Sequence, residues 1–302
     1  MAQGFETLGS FGAALVLSPL LFGIINRVKA IVAGRRGRPL LQGYADLAKL
    51  LGKGLVLSTT TTWAFRAGPI AAVAGPLAAL VLLPGAGAPG LLGFPGDFIA
   101  LAYVLAFSRL ATILAALDTG SSFEGMGASR EATFGALSEP VFFLTMIAAA
   151  GFSHSFSLYE ILSGFPFGSP PETLLTVVAL FVLLLTENAR IPVDDPNTHL
   201  ELTMIHEVMV LDHSGPDLAC IVYGSGLKLW IYAALVAGLV VPMPIGQPGL
   251  ALTLNVGSIF AVAVIVGVVE SVGARLSLSR VPKLLAGAGA CSALALLLSL
   301  WR

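Results

Sequence analysis

The sequence predicts an all-α polytopic membrane protein of eight transmembrane helices, with both termini on the outer side. Three observations predict it. First, only 11% of the 302 residues are charged, against roughly 25% in an ordinary soluble domain, too few to face water all round. Second, eight apolar runs are each long enough to cross about 30 Å of hydrocarbon. Third, Lys and Arg are absent from alternate loops, the asymmetry that sets orientation.

The first run, 8–26, has an acidic flank and lacks a small-residue cleavage site, so it reads as a retained span and not a signal peptide. A main cytoplasmic loop, 27–66, follows with Arg27, Lys29, Arg35, Arg36, Arg38, Lys49, Lys53 and Arg66. The second run, 64–83, ends in LPGAGAPGLLGFPG, an outer turn rich in Gly and Pro. The third, 97–118, carries Arg109 within it and Asp118 at its end. The fourth, 133–152, contains Pro140, which kinks the helix or marks its start. FPFGSPP turns the chain into the fifth, 172–190. A second main cytoplasmic loop, 186–221, leads to the sixth, 222–241. The seventh and eighth are 249–270 and 283–301, with Arg275, Arg280 and Lys283 between them. The loops near 84–96, 153–171 and 242–248 contain no Lys or Arg, so they face outward and the others face the cytoplasm. Each span is helical, because only a helix satisfies its own backbone in lipid.

There is no tandem repeat, and 1–302 reads as one transmembrane domain. The cytoplasmic loops are too short for a soluble catalytic domain, so such a domain belongs to another chain. A net charge of −1 offers no field for nucleic acid. Cys220 and Cys291 lie in or beside apolar runs without a CxxC or Cys/His set, so no metal or cofactor is expected on this chain. A stand-alone transporter would show broken helices in repeated halves, which this sequence lacks.

Ionisable groups in or at the edge of a span are costly unless paired or hydrated. Arg109 is too deep to snorkel, so it needs a carboxylate partner. The candidates are Asp118, Glu139, Glu187 and Glu270, each of which also reads as a helix-end group. Arg130 and Glu131 lie between the third and fourth spans. An arginine among buried carboxylates suits proton movement, since burial raises and a nearby cation lowers a carboxyl pKa.

The stretch TENARIPVDDPNTHLELTMIHEVMVLDHSGPDLA, 186–219, holds seven of the seventeen carboxylates and three of the four histidines. Pro192 and Pro196 bracket a turn. A helix over 199–213 would place His199, His206 and His213 on one face, with Glu201 and Asp212 roughly opposite. Met204, Ile205, Val208 and Met209 fill between them. Histidines seven apart do not make a simple chelate, so metal binding is disfavoured. The segment reads as a docking surface for a soluble partner, or as a proton or ligand relay at its membrane end.

Three motifs together resemble the H-type membrane subunits of respiratory complex I and, more closely, subunit 4 of formate hydrogenlyase-type membrane-bound [NiFe] hydrogenases. They are GRRGRPLLQGYADLAKLLGKG (34–54), LDTGSSFEGMGASREATFGALSEP (117–140) and TENARIPVDDPNTHLEL (186–202). The likeness spans essentially the whole chain. Quinone-reducing relatives have a longer first loop, whereas here Arg38-Pro39-Leu40-Leu41-Gln42 follows directly, as in the hydrogenase-like branch. The resemblance implies a membrane anchor and ion-coupling subunit in a bacterial or archaeal cytoplasmic membrane. Its partners would be soluble hydrogenase-like large and small subunits, an iron–sulfur subunit and antiporter-like membrane subunits. The [NiFe] centre and iron–sulfur clusters would lie on those partners; in the quinone branch, this chain would border a quinone site.

By position, the resemblance carries over Glu187, Arg190, Asp194 and Glu201 from the acidic block, Arg130 and Glu139 from the middle loop and Asp46 and Lys49 from the first loop. With the residues read directly from the chain, the coupling candidates are Arg109, Asp118, Arg130, Glu131, Glu139, Glu187, Arg190, Asp194, His199, Glu201 and Glu270. Docking falls to Arg35, Arg36, Arg38, Asp46, Lys49, His206, Asp212 and His213. The chain departs from the family at Val193, where Phe is usual, and at Asn197 and His199, where acids are usual. The link to Ser214-Gly215 is about three residues longer. His199 can take over a proton-carrying role, because an unperturbed imidazole titrates near 6.5, or can be a binding contact.

Overall fold

The computed structural model describes residues 2–164, 170–194, 204–242, 244 and 247–301. The helices are α1 (Ala2–Val32), α2 (Gln42–Leu51), α3 (Trp63–Leu82), α4 (Asp97–Asp118), α5 (Ser122–Ser153), α6 (Leu158–Gly164), α7 (Pro170–Glu187), α8 (Gly215–Val240), α9 (Pro248–Val272) and α10 (Val281–Leu300). Seven of them are long and apolar enough to cross a membrane: α1, α3, α4, α5, α8, α9 and α10. The predicted fifth span is helical as α7.

α8 forms the centre. Its residues 229–237 are buried on every side, the mark of a helix apolar all round. α3 packs on α4 and α8, α1 on α9 and α8, and α10 on α5 and α7. The outer faces keep large apolar side chains exposed, including Val16, Ile70, Phe107, Leu174 and Leu297. Such surface belongs in lipid and not in water, which makes this a multi-pass membrane protein.

The structure corrects four sequence expectations. The predicted loop before the fourth span shrinks to 119–121, because α5 starts at Ser122 and carries Arg130 and Glu131 on its first turns. Pro140 lies inside that helix and does not mark its start, and α1 and α3 likewise continue through Pro19, Pro69 and Pro76. Surrounding helices can accommodate the lost backbone bond. The first loop contains α2, a short helix none of whose residues is buried.

The fourth correction concerns 204–214, where the predicted long helix is absent. Only Glu207–Val210 forms a short 3₁₀ turn. Carboxylates capture the backbone donors that a helix would use. Asp194 Oδ2 accepts from the Ile205 and His206 N–H groups at 2.9 and 3.3 Å. Glu124 Oε1 accepts from the Asp212 N–H at 3.0 Å. Met204, Ile205, Val208 and Met209 are buried. At Gly127 of α5, any Cβ would collide with Val208 and the Ile205 carbonyl, so glycine lets the segment lie against the helix. The apolar side chains therefore pack into the bundle, whereas the sequence reading put them on a two-sided surface helix. His199 and Glu201 lie outside the described residues.

Candidate functional site

Arg109 lies in the second half of α4, its side chain only 9% exposed. It finds its partners across two neighbouring helices. Nη1 lies 2.7 Å from Glu187 Oε1 at the end of α7, and Nη2 pairs with Glu139 Oε1 of α5. Gly135, one turn before Glu139, admits the guanidinium, since a Cβ there would stand 2.7 Å from Arg109 Cζ. Glu187 is held on its other oxygen by Lys228 Nζ of α8 at 2.8 Å, and Ser138 Oγ also donates to it. Two cations and two carboxylates thus close a neutral network over four helices. Arg109 and Glu187 are buried, but the Glu139 side chain is 40% exposed. It faces an open groove of about 640 Å³ between α4 and α5, walled by Tyr103, Phe107 and Leu110.

Beside the network lies a cavity of about 60 Å³ bordered by Arg109, Glu131, Glu187, Asn188, His206 and Lys228. A site of that size with several polar partners has room for ordered water. Asn188 Oδ1 is buried without a protein partner, as expected of an atom bonded to such water. His206 lies among Glu131, Lys228, Asp194 and Glu187, and burial lowers its pKa below the ordinary imidazole value. Its place is therefore this cavity and not an exposed docking face.

A second network ties the acidic block down. Glu270 of α9 takes Lys29 Nζ at 2.9 Å and Arg190 Nη1 at 3.4 Å. Arg190 also lies over the Phe22 ring at 5.0 Å. Asp194 Oδ1 pairs with Arg275 at 2.8 Å, while its other oxygen fixes Ile205 and His206. These bonds join the turn after α7 to α1, α9 and the 204–214 segment.

Of the four candidate partners for Arg109, the structure brings Glu139 and Glu187 to it. Glu270 belongs to the second network. Asp118 caps α3, accepting from the Thr62 and Phe65 N–H groups at 2.6 and 3.2 Å and from Thr62 Oγ at 2.8 Å. Arg130 donates to the Met204 carbonyl at 2.7 Å, holding the segment to α5. Arg35, Arg36, Arg38, Lys49 and Asp212 are exposed. Asp46 accepts from Gln42 within α2 at 2.8 Å. His213 is only 5% exposed and stacks on Phe65 at 4.0 Å, so it anchors the segment instead of greeting a partner.

Sequence reading missed Lys228, Ser138, Lys29 and Arg275. For Lys228 a signal existed: Gly215-Pro216 is a helix start, and counting from it puts Lys228 well inside α8 instead of at the edge of a span.

Burial pushes the His213 pKa down to about 4, with Asp212 opposing it more weakly. The folded segment therefore favours neutral imidazole. Its stability is complete above the unfolded value near 6.5 and falls as pH drops from there towards 4. By that linkage the seating of 204–214 should weaken by about 2 kcal/mol at pH 5. Hydrogen exchange of these amides, corrected for intrinsic rates, should show faster opening at pH 5 than at 7.5. His213→Phe keeps the ring stack and should abolish most of that difference; an equal difference in the variant would assign the effect to another group.

Comparison with known proteins agrees with this architecture. Residues 6–300 match the family described as NADH dehydrogenase. Hydrogenase-4 component C of Escherichia coli (strain K12) is 34% identical over 230 residues, covering 76% of this chain and 72% of the relative. Formate hydrogenlyase subunit 4 of the same organism is 30% identical over 283 residues, covering 90% and 91%. A chain in the structure of the membrane-bound sulfane sulfur reductase, an archaeal respiratory membrane complex, has the same fold. Its TM-score is 0.84 at 21% identity, over 99% of this chain and 100% of that one. With a family match over nearly its whole length and two relatives at 30% identity or more, this chain belongs to the NADH dehydrogenase family, alongside formate hydrogenlyase subunit 4 and hydrogenase-4 component C.

Proposed function

We propose that this chain is the membrane anchor and ion-coupling subunit of a multisubunit, hydrogenase-like oxidoreductase. The observation that carries this is the buried Arg109–Glu139–Glu187–Lys228 network, with a water-sized cavity on one side and a lateral groove on the other. The names of the two relatives support the hydrogenase-like branch. In this reading the chain crosses a bacterial or archaeal cytoplasmic membrane eight times, α7 included, with both termini outside. The acidic block and the exposed Arg35, Arg36 and Arg38 then face the cytoplasm, where they dock the soluble large, small and iron–sulfur subunits. Electron-carrying groups, a [NiFe] centre and iron–sulfur clusters, belong to those partners. A redox event there shifts charge at the block, and Asp194 and His206 relay it to Glu187. Glu139, open to the groove, passes an ion to antiporter-like neighbours in the membrane.

The match to a family described as NADH dehydrogenase favours a second reading, a subunit bordering a quinone site. The cavity at the block, about 60 Å³, is far below the roughly 300 Å³ of a small-molecule pocket. One preparation separates the readings. The complex is purified through a tag on this chain, and nickel and quinone are assayed. Nickel without quinone is the expected result; quinone without nickel would establish the second reading. In the same preparation, reversing the charges of Arg35, Arg36 and Arg38 should release the soluble arm on salt washing, because exposed pairs are screened within about 8 Å.

A further inference from the structure

The end of the bundle remote from the acidic block contains two adjoining cavities that the coupling network does not use. The larger, about 90 Å³, is bordered by Gly85, Ala88, Tyr159, Leu162, Gly238 and Asn255. The smaller, about 20 Å³, lies between α1, α8 and α9 and is bordered by Ser10, Trp230 and Asn255. Asn255 joins them. It is only 8% exposed, and among the described residues its side-chain amide makes no hydrogen bond to protein, although its backbone carbonyl also accepts from Ser258 Oγ at 2.8 Å. Ser10 Oγ is buried without a partner.

An amide and a hydroxyl buried in this way lose hydrogen bonds to water unless something in the cavity restores them. Three occupants can be compared. A cation would leave its hydration shell for neutral oxygens, because among the described residues no carboxylate borders either cavity, and hard cations take carboxylate ligands. A drug-sized molecule does not fit, since such ligands fill roughly 300 Å³ or more. Water fits both volumes and both hydrogen-bonding types, and a single water needs only about 10–15 Å³ of this kind of space.

We infer that Asn255 and Ser10 form a built water site, filled from the end that carries the 84–91 turn and closed towards the Arg109 network by a dry layer. Trp230 borders the smaller outer cavity and Tyr232 borders a small void at the Arg109 network, yet among the described residues the two sets of cavities share no bordering residue. Between them α8 contributes Leu229 and Ile231, both fully enclosed. Among the described residues, then, the two sets of cavities do not meet along α8. This deepens the coupling reading and rests on it in one respect: an ion reaching Glu139 would leave by the lateral groove.

Hydroxyl-radical footprinting by X-ray radiolysis of the assembled complex tests the site without measuring translocation, so its failure is separable from failure of the coupling role. Radicals generated from bound water oxidise side chains that bulk solvent cannot reach. Trp230, 3% exposed, should be oxidised in the native complex together with Tyr159, while Leu229 and Ile231 stay unmodified. Asn255→Leu, which fills the junction and removes the amide, should lower oxidation of Trp230 severalfold. Unmodified Trp230 in the native complex, or unchanged oxidation in an assembled Asn255→Leu complex, would overturn the water site. Oxidation of Ile231 as strong as that of Trp230 would overturn the dry layer. Should Asn255→Leu fail to assemble, the native complex alone still decides both points.

Discussion

Replacing Glu187 by Gln should leave a complex that still assembles and still reduces artificial acceptors, but that loses most of its ion translocation per electron. Gln keeps the size of Glu and can still bond Ser138 and Arg109, so the packing of α7 against α5 and α8 survives. What disappears is the carboxylate shared between Arg109 and Lys228, and with it a group that can exchange a proton or balance a passing cation. Glu139→Gln should act in the same direction, since Glu139 is the member of the network that reaches the groove. The measurement is translocation in sealed vesicles, normalised to electron flux and to the amount of assembled complex. An unchanged ratio in both variants would remove the coupling role and leave the network as a structural brace.

Arg109→Met should destabilise the chain. Removing one partner of a fully buried pair costs about 3–5 kcal/mol; the loss here should be smaller, because the Glu139 side chain is 40% exposed. Lys228 still neutralises Glu187, so the orphan is Glu139. The double variant Arg109→Met/Glu139→Gln removes that orphan and should recover a large part of the loss, a non-additivity expected of residues in one network. Thermal denaturation of the detergent-solubilised complex, monitored on this chain, reads both. If Arg109→Met is as stable as the parent, the network is hydrated well enough to dispense with its arginine.

Much of this architecture was legible in the sequence. Hydropathy located the seven described helices long and apolar enough to cross a membrane, and α7 as a helix, because a run of about 20 apolar residues has no other stable state in lipid. The depth of Arg109 demanded a carboxylate partner, and two of the four candidates proved correct. Local reasoning failed where several local answers were nearly equal. The 199–213 stretch has helical periodicity, but periodicity does not reveal that Asp194 and Glu124 will take its amide protons. His206 and His213 looked like surface histidines; one borders a cavity and the other stacks on Phe65, each through a contact far along the chain.

What the sequence by itself determined is the class of molecule, its long helices and the presence of ionisable groups that cannot stay unpaired in a membrane. These follow from transfer free energies, which act residue by residue. Only the tertiary structure decided which charges meet. Glu187 is 78 residues from Arg109, Glu270 is 80 from Arg190, and Asp118 went instead to the end of α3. Such pairings depend on how helices are rotated and how closely they approach. Gly135 and Gly127 set those approaches through steric exclusion, and steric exclusion between distant segments leaves no local period in a sequence.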